Sequence, residues 1–200
     1  MQTDTIVAPP LAVLIPKNRG LAAMASDAVR LHAGGIGVER TFVRGEDVPF
    51  LANEVARSGR PVLAFTGDDL LDEWLASGRV LDARVRRSSL PWSDPKARYG
   101  KPALCLIGPR GTPLPETGDL RVAVCAKYGN LSRRFLKTLE RPGRTIDPIL
   151  ISGTVEAALL HDAADFMIDI VVSGSTIDAL GLDVREIIQT SDLAVLEANR

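Results

Sequence analysis

Short apolar runs alternate along the chain with stretches whose apolar residues recur every three or four positions. The runs LAVLIP (11–16), PVLAFTG (61–67), LRVAVCA (120–126), TIDPILI (145–151) and FMIDIVV (166–172) have the length and composition of buried strands. Residues 21–32, 68–78 and 153–164 repeat instead at helical spacing, and Gly78 stops the second of these helices. A short strand is predicted over 39–44. Asp47 is placed to cap the helix behind it, with Pro49 in the first turn, and Asn130 to cap a basic helix reaching about residue 140. Strands separated by helices predict an α/β fold with mixed, mostly parallel sheets.

Residues 86–118 break the rhythm. They are rich in Pro, Gly and Ser, interrupted only by the apolar PALCLIG (102–108). The segment reads as a crossover between two lobes that contributes one strand, with GPRGTPLPETG (108–118) an exposed loop. The tail VREIIQTSDLAVLEA carries one or two final strands. Lobe I is then expected to comprise 1–100 plus 184–200, and lobe II 101–183, with a central cleft as the expected place for a ligand. No stretch of the sequence repeats another.

Composition narrows the partners. The 200 residues are 46% hydrophobic and 24% charged, with a formal net charge of −1. Such a chain has no broad basic field, so nucleic acid is not an expected partner and any anion must be held by a local site. No run reaches the ~18 apolar residues that span a membrane. The start, MQTDTIVAPP, lacks the basic opening of a signal peptide, so a cytoplasmic location is expected. Cys105 and Cys125 each sit in an apolar run and are expected as buried free thiols on neighbouring strands. With His32 and His161 as the chain's histidines, no zinc set can be assembled.

The candidate chemistry lies in DIVVSGSTIDALG (169–181), where a strand ends in small hydroxyl residues around a glycine. A phosphate needs several donors converging from one short segment. Gly174 allows close backbone approach, Ser173, Ser175 and Thr176 add hydroxyls, and Asp169 can accept from sugar hydroxyls. Together they would hold a ribose phosphate. The same Ser-Gly-Ser-Thr also suits an ordinary helix start, where Ser and Thr are favoured caps. An aliphatic run, an acid and then V-x-[ST]-G-x-T resembles the loop by which phosphoribosyltransferases hold 5-phosphoribosyl-1-pyrophosphate (PRPP). Those of the common type carry two adjacent acids, and here the second position is Ile170.

Three further stretches sharpen the resemblance. Lys127-Tyr128-Gly129-Asn130-Leu131-Ser132-Arg133-Arg134, Gly153-Thr154-Val155-Glu156 and Ala164-Asp165 through Thr176 follow in order, and EANR ends the sequence. This ordered set resembles the ATP phosphoribosyltransferase family, whose members show K-Y-x-N-L-[ST]-R-R, G-S-[VI]-E and A-D-x-[IV]-x-D-[IL]-V-x-[ST]-G-x-T. In the first half, LIPKNRGL (14–21), VRGEDVP (43–49) and AFTGDDLL (64–71) are looser matches to L-P-K-G-R-L, V-R-x-x-D-[IV]-P and G-I-T-G-x-D-x-L. Asn18 stands for a glycine, Gly129 for a proline, Leu180 for an asparagine, and residues 59–62 for A-D-L-G.

The resemblance implies a two-lobed fold like the type II periplasmic binding proteins. It implies attack by N1 of ATP on ribose C1 of PRPP, with release of pyrophosphate, at the first step of histidine biosynthesis. Mg²⁺ would be bound mainly by pyrophosphate oxygens. Asp169 would orient the ribose hydroxyls, residues 173–176 would hold the 5-phosphate, and Lys17, Arg19 and Arg44 would meet pyrophosphate or the acceptor's triphosphate. Glu156 is a further candidate at the acceptor or pyrophosphate; it also suits a plain acid in a helix first turn. Ending at Arg200, the sequence is similar to the short form, which implies a homo- or hetero-oligomer with a regulatory subunit resembling histidyl-tRNA synthetase. Two alternatives stay open: a related transferase using another acceptor base, and a ligand-binding or regulatory module without chemistry.

Overall fold

Burial on both faces decides which runs become central strands. LAVLIP and VLAFTG, six residues each, are buried at every position and form β1 (Leu11–Pro16) and β3 (Val62–Gly67). The computed structural model describes residues 9–32 and 37–199. In order, the first half continues with α1 (Arg19–His32), β2 (Val38–Val43), a 3₁₀ turn (Gly45–Asp47), α2 (Val48–Arg57), α3 (Asp68–Ala76) and β4 (Arg86–Leu90). The second half holds β5 (Ala103–Pro109), β6 (Gly118–Cys125), a 3₁₀ turn (Ala126–Tyr128), α4 (Gly129–Leu139), β7 (Arg144–Ile151), α5 (Glu156–Leu160), β8 (Phe166–Val171), α6 (Ser175–Ala179), β9 (Leu182–Thr190) and β10 (Leu193–Ala198).

Among the described residues these strands form two five-stranded sheets, ordered β2-β1-β3-β10-β4 and β7-β6-β8-β5-β9. Each is mixed. β1 pairs in parallel with β2 and β3, and β6 with β7 and β8. β10 runs antiparallel to β3 and β4, and β5 antiparallel to β8 and β9. Parallel pairing therefore accounts for half of the ladders rather than most of them. Helical crossovers produce the parallel pairs, while β5 and β10 are entered without a helix and run the other way. Among the described residues no helix is long and apolar enough to cross a membrane.

The chain divides into two compact units: residues 1–71, 79–90 and 193–200, and residues 72–78 and 91–192. Residues 91–100 and 184–192 thus cluster with the second unit, where the sequence had suggested lobe I. The reason is pairing: β9 runs beside β5 from Leu182↔Pro109 to Thr190↔Ala103. Asp192 also accepts from the Trp92 N–H at 2.7 Å and the Lys101 ammonium at 2.7 Å.

Several local expectations shift. The crossover contributes β4 as well as β5; RRSSL has no apolar signal and becomes a strand because β10 offers it a ladder. Asp47 makes no side-chain cap bond, because the 3₁₀ turn already feeds the chain into α2. Asn130 lies one residue inside α4, and its N–H and side-chain amide both donate to the Glu73 carboxylate, which also accepts the Leu131 N–H at 2.7 Å. Helix α5 covers only five residues of the span predicted at 153–164. Cys105 and Cys125 are free, the first buried and the second half-buried. They lie on β5 and β6, which β8 separates, so they are not on neighbouring strands.

Candidate functional site

β8 carries the site. Its period of two puts Met167, Asp169 and Val171 on one face, which packs against Val155 and Ala158 at α5 and Ile177 of α6. Asp169 is the polar member of that row. Its Oδ1 accepts the Ile170 N–H at 2.8 Å, and Cys125 supplies a further side-chain donor. Cys105 faces it across the β5–β8 ladder. Burial raises the Asp169 carboxyl above its ordinary pKa; the Ile170 N–H and the positive charge of Lys127 pull it back, and the negative charge of Glu156 pushes it up. Burial likewise pushes the Cys105 thiol up to about 12 and raises Cys125, so neither is disposed to act as a thiolate.

The strand ends in a bend. Gly174 adopts φ +79° and ψ 0°, the left-handed region where a side chain is strained. The Ser173 and Ser175 hydroxyls lie 2.9 Å apart, and the Ser175 N–H donates to Ser173 Oγ at 3.3 Å. Among the described residues nothing accepts the amide hydrogens of Gly174, Thr176 or Ile177. The bend, Asp169 and Glu156 line a cavity of about 220 Å³ in the second unit. The lining combines the neutral donors of the bend with two carboxylates, a set suited to a molecule with an anionic end and a hydroxyl-bearing middle.

Glu156 is therefore grouped with Asp169 and the bend. Lys17, Arg19 and Arg44 are together in the first unit, where β1 and β2 end side by side: the Lys17 N–H donates to the Val43 carbonyl at 2.8 Å. All three side chains are exposed. Arg44 leads into the 3₁₀ turn, whose Gly45 carbonyl accepts the buried Thr66 hydroxyl at 2.7 Å. That bond fixes where Arg44 leaves the sheet.

Comparison with known proteins bears on the chain's family and fold. The HisG family, described as ATP phosphoribosyltransferase, matches residues 44–200. The chain belongs to this family. An ATP phosphoribosyltransferase from Pseudomonas aeruginosa is 32% identical over 155 residues, 76% of this chain and 62% of the relative. The chain spans 56–62% of the length of the curated relatives it matches. Its fold is similar to a chain of the ATP phosphoribosyl transferase (HisG:HisZ) complex from Thermotoga maritima, with TM-score 0.66, 21% identity and coverage of 94% and 87%. It is also similar to the periplasmic aliphatic sulphonate binding protein SsuA from Escherichia coli, with TM-score 0.56, 16% identity and coverage of 96% and 62%.

Against the ATP phosphoribosyltransferase pattern, the departures have local physical reasons. Asn18 caps α1, its Oδ1 accepting the Gly20 N–H at 3.0 Å. Gly129 opens α4 at φ −61°, the angle a proline would hold. Leu180 ends α6 and packs against the core beneath it. Gly59, at φ +79°, turns the chain out of α2 toward β3. None of these removes a donor from the bend after β8.

Two side chains near the cavity were not singled out from the sequence. Lys127 stands close enough to Asp169 to lower its pKa, with its ammonium 5.1 Å from the Tyr128 ring centroid. Its place inside a family motif was the available signal. Arg98 sits against Gly174: a Cβ there would lie 2.9 Å from both its Cδ and its Nη1. It comes from the irregular stretch before β5, where no periodicity could have marked it.

Proposed function

We propose that this chain transfers the ribose 5-phosphate of PRPP to N1 of ATP, releasing pyrophosphate, as the first step of histidine biosynthesis. The observation that carries the reading is the single cavity shared by the Gly174 bend and the inward-facing Asp169, in a chain of the ATP phosphoribosyltransferase family. Residues 173–176 take the 5-phosphate through open amide hydrogens and hydroxyls. Asp169 accepts from the ribose hydroxyls, and Glu156, beside it on the cavity wall, shares that role rather than meeting an anion.

Bond breaking at C1 gives the sugar cationic character while pyrophosphate departs with several negative charges. The carboxyl groups of Asp169 and Glu156 are assigned to the first charge, and Lys17, Arg19 and Arg44 to the second and to the acceptor's triphosphate. An adenine ring nitrogen needs little activation, so positioning carries much of the rate. Mg²⁺, where it accompanies the substrate, would supply further neutralisation of the leaving group. A regulatory partner similar to histidyl-tRNA synthetase, within a hetero-oligomer, is proposed from the likeness to the HisG:HisZ complex.

Pyrophosphate release tests the reading, with PRPP, Mg²⁺ and ATP, in the presence and absence of such a partner. Release that requires ATP is expected. PRPP binding without turnover on ATP points to another acceptor base. No PRPP binding under either condition overturns the assignment and leaves a module without chemistry.

A further inference from the structure

The cavity lining includes two carboxylates, Asp169 and Glu156, and no cation. A phosphate monoester brings nearly two more negative charges at neutral pH, and amide or hydroxyl donors are neutral. A positive charge within reach of the bend would remove that imbalance.

Arg98 is built into that position. Its N–H donates at 2.7 Å to the carbonyl of Val172, the residue that opens the bend. Ala97 beside it is buried, and Tyr99 packs against the core, so the backbone is pinned on both sides. The side chain crosses the face of Gly174 and ends on Asp178, with Nη1 donating to Oδ1 at 3.0 Å. Both side chains are partly exposed, at 35% and 56%, and ion pairs in such places hold weakly. A guanidinium fork, by contrast, matches two phosphate oxygens at once.

We propose, building on the phosphate assignment above, that Arg98 is a binding residue for the 5-phosphate and that Asp178 is its resting partner. When phosphate seats on residues 173–176, the guanidinium leaves Asp178 and closes over it. Gly174 then serves twice: its left-handed turn shapes the bend, and its missing side chain leaves room for the Arg98 stem. Asp178 competes with the ligand for the same cation.

Calorimetric titration of the full chain with PRPP and with ribose 5-phosphate tests this. Arg98→Ala should weaken both by about tenfold to a hundredfold, the usual loss for a charge-assisted hydrogen bond. Its unfolding midpoint without ligand should stay at that of the parent. Arg98→Lys should fall between the two. Asp178→Asn should tighten binding severalfold, because the competing anion is gone. If the pair merely staples the bend, Arg98→Ala and Asp178→Asn weaken binding alike, and that result overturns the proposal. Gly174→Val separates the two levels. Normal PRPP binding by Gly174→Val brings down the phosphate assignment itself; loss there with unchanged binding by Arg98→Ala brings down the Arg98 role alone.

Discussion

The two units are built on one plan and differ at one corresponding point. For the first sheet, the chain order β1-α1-β2-α2-β3-α3-β4 gives the strand order β2-β1-β3-β10-β4; for the second, β6-α4-β7-α5-β8-α6-β9 gives β7-β6-β8-β5-β9. The middle parallel strands are β1 and β6, and the antiparallel insertions are β10 and β5. No sequence repeat betrays this, because only apolar periodicity has to match for the topology to match. The difference lies where the third parallel strand ends. β3 runs through Gly67 straight into Asp68 and Asp69, two acids in the first turn of α3. Asp68 is occupied by Arg87 at 3.1 Å and Ser89 at 2.7 Å. β8 ends instead in hydroxyls and open amides. α3 opens on two acids, whereas α6 opens on Ser175 and Thr176 and its first-turn acid, Asp178, is held by Arg98, so the donors of the bend stay available to an outside anion. The proposed function rests on which donors the fold leaves unused, not on the fold itself.

The largest expected effect comes from giving the second bend the chemistry of the first. Ser175→Asp should leave the unfolding midpoint unchanged or higher, since Asp suits a first turn. PRPP affinity should fall by about a thousandfold through like-charge contact. Retained affinity would mean that the two strand ends do not differ in the way argued. Gly174→Val comes next. The added side chain meets Arg98 and must adopt a left-handed conformation, so PRPP binding should drop by about a hundredfold or more. The fold should lose about 1–2 kcal/mol in urea titration.

Asp169→Asn should lower turnover by about tenfold to a hundredfold, and its effect on stability has the opposite sign. Burial raises the carboxyl's pKa, so the folded chain holds the proton more tightly than the unfolded chain does. That contribution is complete below the ordinary carboxylate value and is lost as pH rises through the raised one. At neutral pH the ionised side chain is therefore a cost, and the asparagine variant should unfold at a higher urea midpoint. The gain should vanish near pH ~3. A neutral-pH midpoint below the parent's would show that Asp169 is structural. The smallest effect is Glu73→Gln, which weakens the carboxylate cap on α4 and should cost about 1 kcal/mol by urea unfolding with little change in PRPP affinity.

The strands with continuous apolar runs were readable because burial on both faces requires that pattern. β4 was not, since its residues are polar and its partner lies about a hundred positions away. Asn130 looked like a cap because the residue type is right; the true acceptor, Glu73, comes from another helix and no local window contains it. At the site, Ser173 to Thr176 and Asp169 announced themselves by type and order. Arg98 did not, because what matters about it is a contact with Gly174 across 76 residues of chain.

By itself, then, the sequence determined the alternation of strand and helix, the family, and the glycine-centred bend that follows an acid on a strand. These depend on local periodicity and on residue types adjacent along the chain. Tertiary structure alone decided which strands joined which sheet, that the two cysteines flank Asp169 rather than each other, and that a guanidinium rests over the bend. Those outcomes depend on distance in space, where packing and charge act without regard to separation in sequence.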